Sequence, residues 1–312
     1  MVTRPAIEPA FRSAIDRAGI GWTMGPADIA RRRDRGQPNA SSVVDHHDVR
    51  LSEHLVNGVP IALVEPRTPT GPPRPLVFYI HGGGMVTGNR YSGLDRLLSW
   101  LPLMDYVVAS PEYRLAPEHP APASADDCWN GLTGLLAEAD DLNIDRERIV
   151  IIGSSAGGAL AAGAAIRSRD AASPALRGLM LLSPMLDDRD DTASARQYEQ
   201  DVPWTRGSNR TAWSALLGSP RREPVSEYVV PARARTLADL PTSFVDATTA
   251  EVFRDEDVTF ASRLWADGVQ AELHVWPGAV HGFDSLLPAH PISVAAHAAR
   301  AAWLSRLMKE QG

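Results

Sequence analysis

From Pro75 onward the chain alternates short apolar runs with helical patterns, and this rhythm restricts the fold more than any other feature. The strand candidates are Leu76–Ile80, Tyr106–Ser110, Ile149–Ile152, Leu179–Ser183, Thr242–Asp246 and Ala271–Trp276. Helical patterns fall between or after them, near Gly93–Leu101, Ala123–Glu138, Ala156–Arg167, Asp255–Ala266 and Ser293–Met308. In the fourth, Val258, Ala261, Leu264 and Trp265 share one face. Apolar strands separated by helices predict a mostly parallel sheet covered on both sides, an α/β architecture. Ahead of it, Val49–Val56 and Ile61–Glu65 read as strands joined by a tight turn at Asn57-Gly58. They add an antiparallel edge and bring the sheet to about eight strands.

Two stretches break the rhythm. Residues 1–45 carry a helical pattern and then the polar run Arg31–Asn39, which reads as a peripheral, solvated face. Residues 187–236 are rich in charge, with Trp204 and Trp213 among polar neighbours. Thr68–Arg74, with its prolines, is a surface connection. The chain therefore divides into an N-terminal segment (1–45), the first part of a core (46–186), an insertion (187–236) and the rest of the core (237–312). The first and third pieces are expected to form a helical cap over the C-terminal edge of the sheet, where open α/β folds bind ligands. The charged runs Arg31–Arg35, within the first, and Asp187–Asp191, at the start of the other, predict solvated segments that leave a narrow entrance.

Composition excludes several function classes. A net charge of −7 with no basic aromatic stripe gives no footing for nucleic acid. No apolar run approaches the roughly 20 residues of a membrane span. Arg4, Glu8, Arg12 and Asp16 break any secretory signal in Met1–Trp22. Cys128 is the only cysteine, so no internal disulfide forms and a reducing, cytoplasmic compartment is expected. It reads as a packed helical residue beside Trp129, Leu132 and Leu135 rather than a nucleophile.

The chemistry centres on Gly153-Ser154-Ser155-Ala156-Gly157, which follows the strand Arg148–Ile152 and opens the Ala-rich helical run. Chance alone would produce Gly-x-Ser-x-Gly in roughly one chain in ten of this length. A strand before it and a helix after it make it a nucleophile elbow, the sharp turn that exposes a serine in α/β-hydrolases. Acyl transfer by serine also needs a base, an acid to orient the base, and N–H donors for the oxyanion. Of nine histidines, His281 stands after the last strand candidate in the glycine-containing loop Pro277–Phe283. His290 and His297 lie beside or within the last helix, and the other six precede the loop. Donors come from His81-Gly82-Gly83-Gly84, directly after a strand, and from the Ala156 N–H. The glycine run could instead cradle a phosphate, but no Lys or Walker pattern follows it.

These stretches resemble the bacterial hormone-sensitive-lipase-like esterases of the α/β-hydrolase superfamily. The match covers His81–Gly84, Glu112–Pro120, Gly153–Gly158, Arg254-Asp255-Glu256 and His281-Gly282-Phe283, in that order. The resemblance implies an α/β-hydrolase with a helical cap, Ser155 as nucleophile and His281 as base. It also implies an oxyanion hole from Gly83, Gly84 and Ala156, with Tyr113–Glu118 as a buttress for the glycine loop. Two departures stand out. Ser154 replaces the usual Asp or Thr, and Glu251 falls where the family's acid is Asp. Asp246 is the alternative acid, and Asp255 a weaker one that reads as a helix cap. The implied activity is hydrolysis of short- to medium-chain carboxylic esters through an acyl-enzyme, with no metal or other cofactor. Amide, lactone or natural-product acyl hydrolysis, and a non-catalytic receptor, are the alternatives. A small-molecule ester is the expected partner, and a homodimer is left open.

Overall fold

Eight strands build one sheet, ordered β1-β2-β4-β3-β5-β6-β7-β8. They are β1 (Val49–Val56), β2 (Val59–Pro66), β3 (Arg74–Ile80), β4 (Val107–Pro111), β5 (Ile144–Ser154), β6 (Gly178–Leu182), β7 (Ser243–Ala250) and β8 (Ala271–Val280). The computed structural model describes residues 3–34, 37–68, 71, 73–218 and 224–309. Arg35, the Pro69, Thr70 and Pro72 of the surface connection, and residues 219–223 of the insertion lie outside the described residues.

Each strand candidate is a strand. The edge differs in one respect: β2 pairs antiparallel with both β1 and β4, so β2 alone opposes the common direction. β3 shows why the centre is parallel. All seven of its residues are buried, with Leu76, Phe78 and Ile80 in one core and Val77 and Tyr79 in the other. A strand without a solvent face has to be covered twice. On the first side lie α5 (Ala123–Ala137), α6 (Ala156–Ala171) and α9 (Arg254–Ala266). On the second lie α4 (Leu94–Leu98) and α11 (Pro291–Met308). Cys128, Leu132 and Leu135 of α5 pack in the first core, and burial pushes the Cys128 thiol well above its ordinary value. The buried residues of α9 are Glu256, Asp257, Phe260, Ala261 and Leu264; Val258 is half-buried and Trp265 exposed, so the predicted face is rotated. Trp265 is turned outward to donate its indole N–H to Ala271 O at 2.9 Å. Among the described residues no helix is long and apolar enough to cross a membrane.

The N-terminal segment is tied down. In α1 (Pro9–Ala18), proline opens the first turn, Glu8 accepts from the Ala10 N–H at 3.1 Å, and Gly19 closes the helix with bonds to Asp16 and Ile15. Phe11, Ala14 and Ile15 form its buried stripe. Phe11 meets Phe283 edge-on at 6.0 Å and His290 at 4.6 Å, and the Glu8 N–H bonds to Gly278 O at 2.9 Å. Fully burying Phe11 contributes roughly 1.5–3 kcal/mol.

Two expectations about charge are overturned. Arg33 is no solvated arginine: it grips Glu118 with both terminal nitrogens (2.8 and 2.9 Å) and donates to Val86 O and Ala116 O. The acids Asp187–Asp190 are likewise matched rather than hydrated. Asp187 pairs with Arg189, Asp188 with Arg233, and Asp190 with Arg206 and Arg210. Each carboxylate finds a guanidinium from the same insertion, which allows Asp187 and Asp188 to be buried.

Candidate active site

β3 and β5 are neighbours, and β4 lies on the far side of β3, so the strand order reverses between them. Open α/β sheets bind ligands at such a point. The glycine loop leaves β3 here, and the elbow leaves β5.

Ser155 stands between β5 and α6 with φ 56° and ψ −121°, a conformation costing about 1–3 kcal/mol for a non-glycine residue. Its neighbours impose it: Ser155 N–H donates to Leu182 O, and Ser155 O accepts from Met185 and Gly158 N–H, all within 2.9 Å. Gly157 is needed for close approach, because a Cβ there would lie 2.1 Å from Ile80 O.

His281 follows the end of β8, and its Nε2 is 2.9 Å from Ser155 Oγ. Its Nδ1 is 2.7 Å from Glu251 Oε2. An ionised carboxylate only accepts, which assigns the proton to Nδ1 and leaves Nε2 to accept from the serine. Glu251, fully buried just beyond β7, spends its other oxygen on the Thr248 N–H (2.6 Å) and the Ser183 hydroxyl (3.1 Å). Phe253 meets the imidazole edge-on at 5.2 Å. The structure therefore brings Ser155, His281 and Glu251 together.

The alternative acids are occupied elsewhere. Asp246 accepts from Arg300 Nε at 2.6 Å and Trp276 Nε1 at 3.3 Å. Asp255 is not the cap of α9, whose N-cap is Phe253; it accepts from Ser194 N–H at 2.7 Å instead. Arg300 also binds Asp284, three residues past His281, which Arg96 holds from the other side at 2.7 Å. Burial alone would push Asp284 up, but the Arg96 and Arg300 guanidiniums hold it well below the usual carboxylate range. Arg96 reaches the Ser154 hydroxyl at 3.4 Å, so this buried chain joins the histidine loop to the elbow.

In the glycine loop, Gly83 has φ 116°, and a Cβ there would sit 2.1 Å from Thr87 O. Among the described residues the N–H groups of Gly83 and Gly84 have no acceptor, and Ala156, first in α6, precedes the first intrahelical bond. His81 donates from Nδ1 to Gly82 O at 2.8 Å and stacks on Tyr113 at 4.1 Å, whose hydroxyl donates to His81 O at 2.9 Å. Burial lowers the His81 pKa from 6.5 to about 4. Its stabilising effect is complete above pH 6.5 and is lost as the pH falls from 6.5 to about 4, because only the unfolded chain takes the proton there. The shift corresponds to about 3 kcal/mol. His81→Gln should therefore lose less unfolding free energy than wild type between pH 7 and 4 in denaturant titrations. Parallel curves would rule this out.

Sequence reasoning missed Ser183, Phe253 and Arg300. Ser183 directly follows β6, which lies between the elbow strand and β7, so its place followed from strand order and not from local pattern. Beside Gly82, Gly83 and Ser154 opens a cavity of about 410 Å³.

A mostly parallel sheet with a serine elbow after a central strand and a histidine after the last is the architecture of an α/β-hydrolase. The chain belongs to that family, in its hormone-sensitive-lipase-like branch: a family model described as alpha/beta hydrolase fold matches residues 77–285. It is 30% identical over 287 residues to Esterase LipI of Mycobacterium tuberculosis, covering 90% of this chain and 88% of LipI. It is 29% identical to Carboxylesterase NlhH of the same species, covering 90% of each. The solved structure of a bacterial heroin esterase superposes with TM-score 0.87 at 30% identity, over 98% of this chain and 99% of that one.

Proposed function

We propose that the protein is a serine carboxylesterase that hydrolyses short- to medium-chain esters through an acyl-enzyme on Ser155. The observation that carries this reading is the unbroken line from Glu251 through His281 to Ser155, with contacts of 2.7 and 2.9 Å. Ser155 Oγ attacks the ester carbonyl as His281 Nε2 takes its proton. Glu251 stabilises the imidazolium that forms. The N–H groups of Gly83, Gly84 and Ala156 receive the oxyanion, each contributing roughly 2.7–4 kcal/mol by comparison with other oxyanion donors. His281 returns the proton to the leaving alcohol. Water, activated in the same way, then releases the acid.

Residues 1–45 and 187–236 act as the lid. Supporting this, Met24 N–H donates to Ser208 Oγ at 2.8 Å, and Trp204 approaches so closely that a Cβ on Gly84 would meet it at 2.6 Å. The test of the nucleophile is labelling of intact protein with a p-nitrophenyl phosphonate and mapping of the adduct. The expected site is Ser155; an adduct at Ser154 or Cys128 overturns the assignment. On p-nitrophenyl esters from acetate to palmitate, kcat/KM should rise over the first carbons, by up to about 0.8 kcal/mol per CH₂, and then fall. A maximum at palmitate with a rate jump at droplets would mean a lid built for interfaces.

A further inference from the structure

The histidine of the site stands on a turn with little support of its own. His281 is followed by Gly282 at φ 72° and then by a single helical turn, α10 (Phe283–Leu286). Four residues make no stable helix in water by themselves, so this turn depends on what its side chains touch. Glu251 holds the imidazole ring; the backbone beneath it is held from α10. Phe283 is buried against Phe11 and Trp276, and Asp284, three residues past His281, is gripped by two arginines from different helices.

Arg96 of α4 lies with Nε 2.7 Å from one Asp284 oxygen and donates from a terminal nitrogen to the other at 3.0 Å. Arg300 of α11 donates to Asp284 and continues to Asp246 at 2.6 Å. The Asp246 carbonyl accepts from the Ser183 N–H at 2.8 Å, and the Ser183 hydroxyl donates to Glu251 at 3.1 Å. A buried chain therefore runs behind the triad, from the turn that carries the base to the acid. Its two carboxyls and two guanidiniums match one for one, as buried charges must. The Arg96 contact with Ser154, at 3.4 Å, is the weakest link, so the anchoring runs through Asp284.

The acyl-transfer steps use none of these four charged side chains. We propose that Asp284 is a positioning residue for His281: its ion pairs to Arg96 and Arg300 hold the turn that keeps the imidazole in line with Ser155 Oγ. This rests on the reading of Ser155 as the esterase nucleophile. Asparagine fills the same space but brings no charge to either guanidinium, and Gly282 leaves the loosened turn free to rotate. A misplacement on the order of 1 Å can cost about 10²-fold in rate. The cost falls on proton transfer and not on substrate binding.

The test is Asp284→Asn on p-nitrophenyl butyrate, with the rate and stoichiometry of phosphonate labelling measured on the same protein. Both kcat and the labelling rate constant should fall about 10²-fold. KM should stay within about twofold of wild type, and labelling should still reach one adduct per chain, which reports an intact fold. The double variant Asp284→Asn/Arg96→Gln keeps the buried charges balanced; it should behave alike, and it decides the matter if the single variant does not fold. Wild-type kcat in either folded variant, a loss carried by KM, or failure of both variants to fold overturns the positioning role. If wild type is labelled at Ser155 and the variants match its rates, only this inference has failed. If wild type is not labelled there and cleaves no ester, the esterase reading has failed and this one falls with it.

Discussion

Ser155→Ala should reduce kcat on p-nitrophenyl butyrate about 10⁶-fold, to the level that binding and oxyanion stabilisation alone support. On the proposed mechanism the loss is this large because the hydroxyl is the bond-forming atom, and His281 and Glu251 have no role without it. Alanine occupies the same strained turn with one atom fewer, so the thermal midpoint should stay close to wild type. Ser154→Ala is the matched control, since Ser154 Oγ meets Arg96 at 3.4 Å and not the imidazole. Activity above one part in a thousand in Ser155→Ala would end the assignment.

The second large effect is expected at Glu251→Gln, with kcat down by about 10⁴. Glutamine fills the same volume and can still accept from Thr248 N–H and Ser183 Oγ. It carries no charge to stabilise imidazolium, and an amide turned toward Nδ1 favours the wrong tautomer. Asp246→Asn is the discriminating comparison. It weakens the contact with Arg300 and should lower stability more than it lowers kcat. The reverse ranking, with Asp246→Asn crippling and Glu251→Gln nearly silent, would transfer the acid to Asp246.

Much of the fold was legible because buried parallel strands are written as apolar runs; β3 and β5 are examples. The strand ends were less so. β7 continues through Thr248 and Thr249 to Ala250, and β8 through Pro277 and Gly278 to Val280, residues that read as loop. The extensions matter, because they bring Glu251 and His281 to the sheet edge. The choice among acids depended on Arg300, which reaches Asp246 from 54 residues further along the chain. Pairings of that range leave no mark in local pattern, and Arg33 with Glu118 was hidden for the same reason. Asp257 lies wholly inside, on the apolar face of α9. Burial first, and Glu251 second, push its carboxyl well above the usual range.

The docking of α1 has a consequence for how the newly made chain matures. Phe11 leaves the ribosome early, whereas its partners Phe283 and His290 emerge near the end of synthesis. At bacterial-type elongation rates the interval is on the order of tens of seconds. Throughout it, the Phe11, Ala14 and Ile15 stripe is an uncovered apolar face, open to a chaperone or to a neighbouring nascent chain. The cavity wall that Trp22 and Arg32 supply follows directly behind that helix. The helix can therefore dock only after the central strands of the sheet have been made.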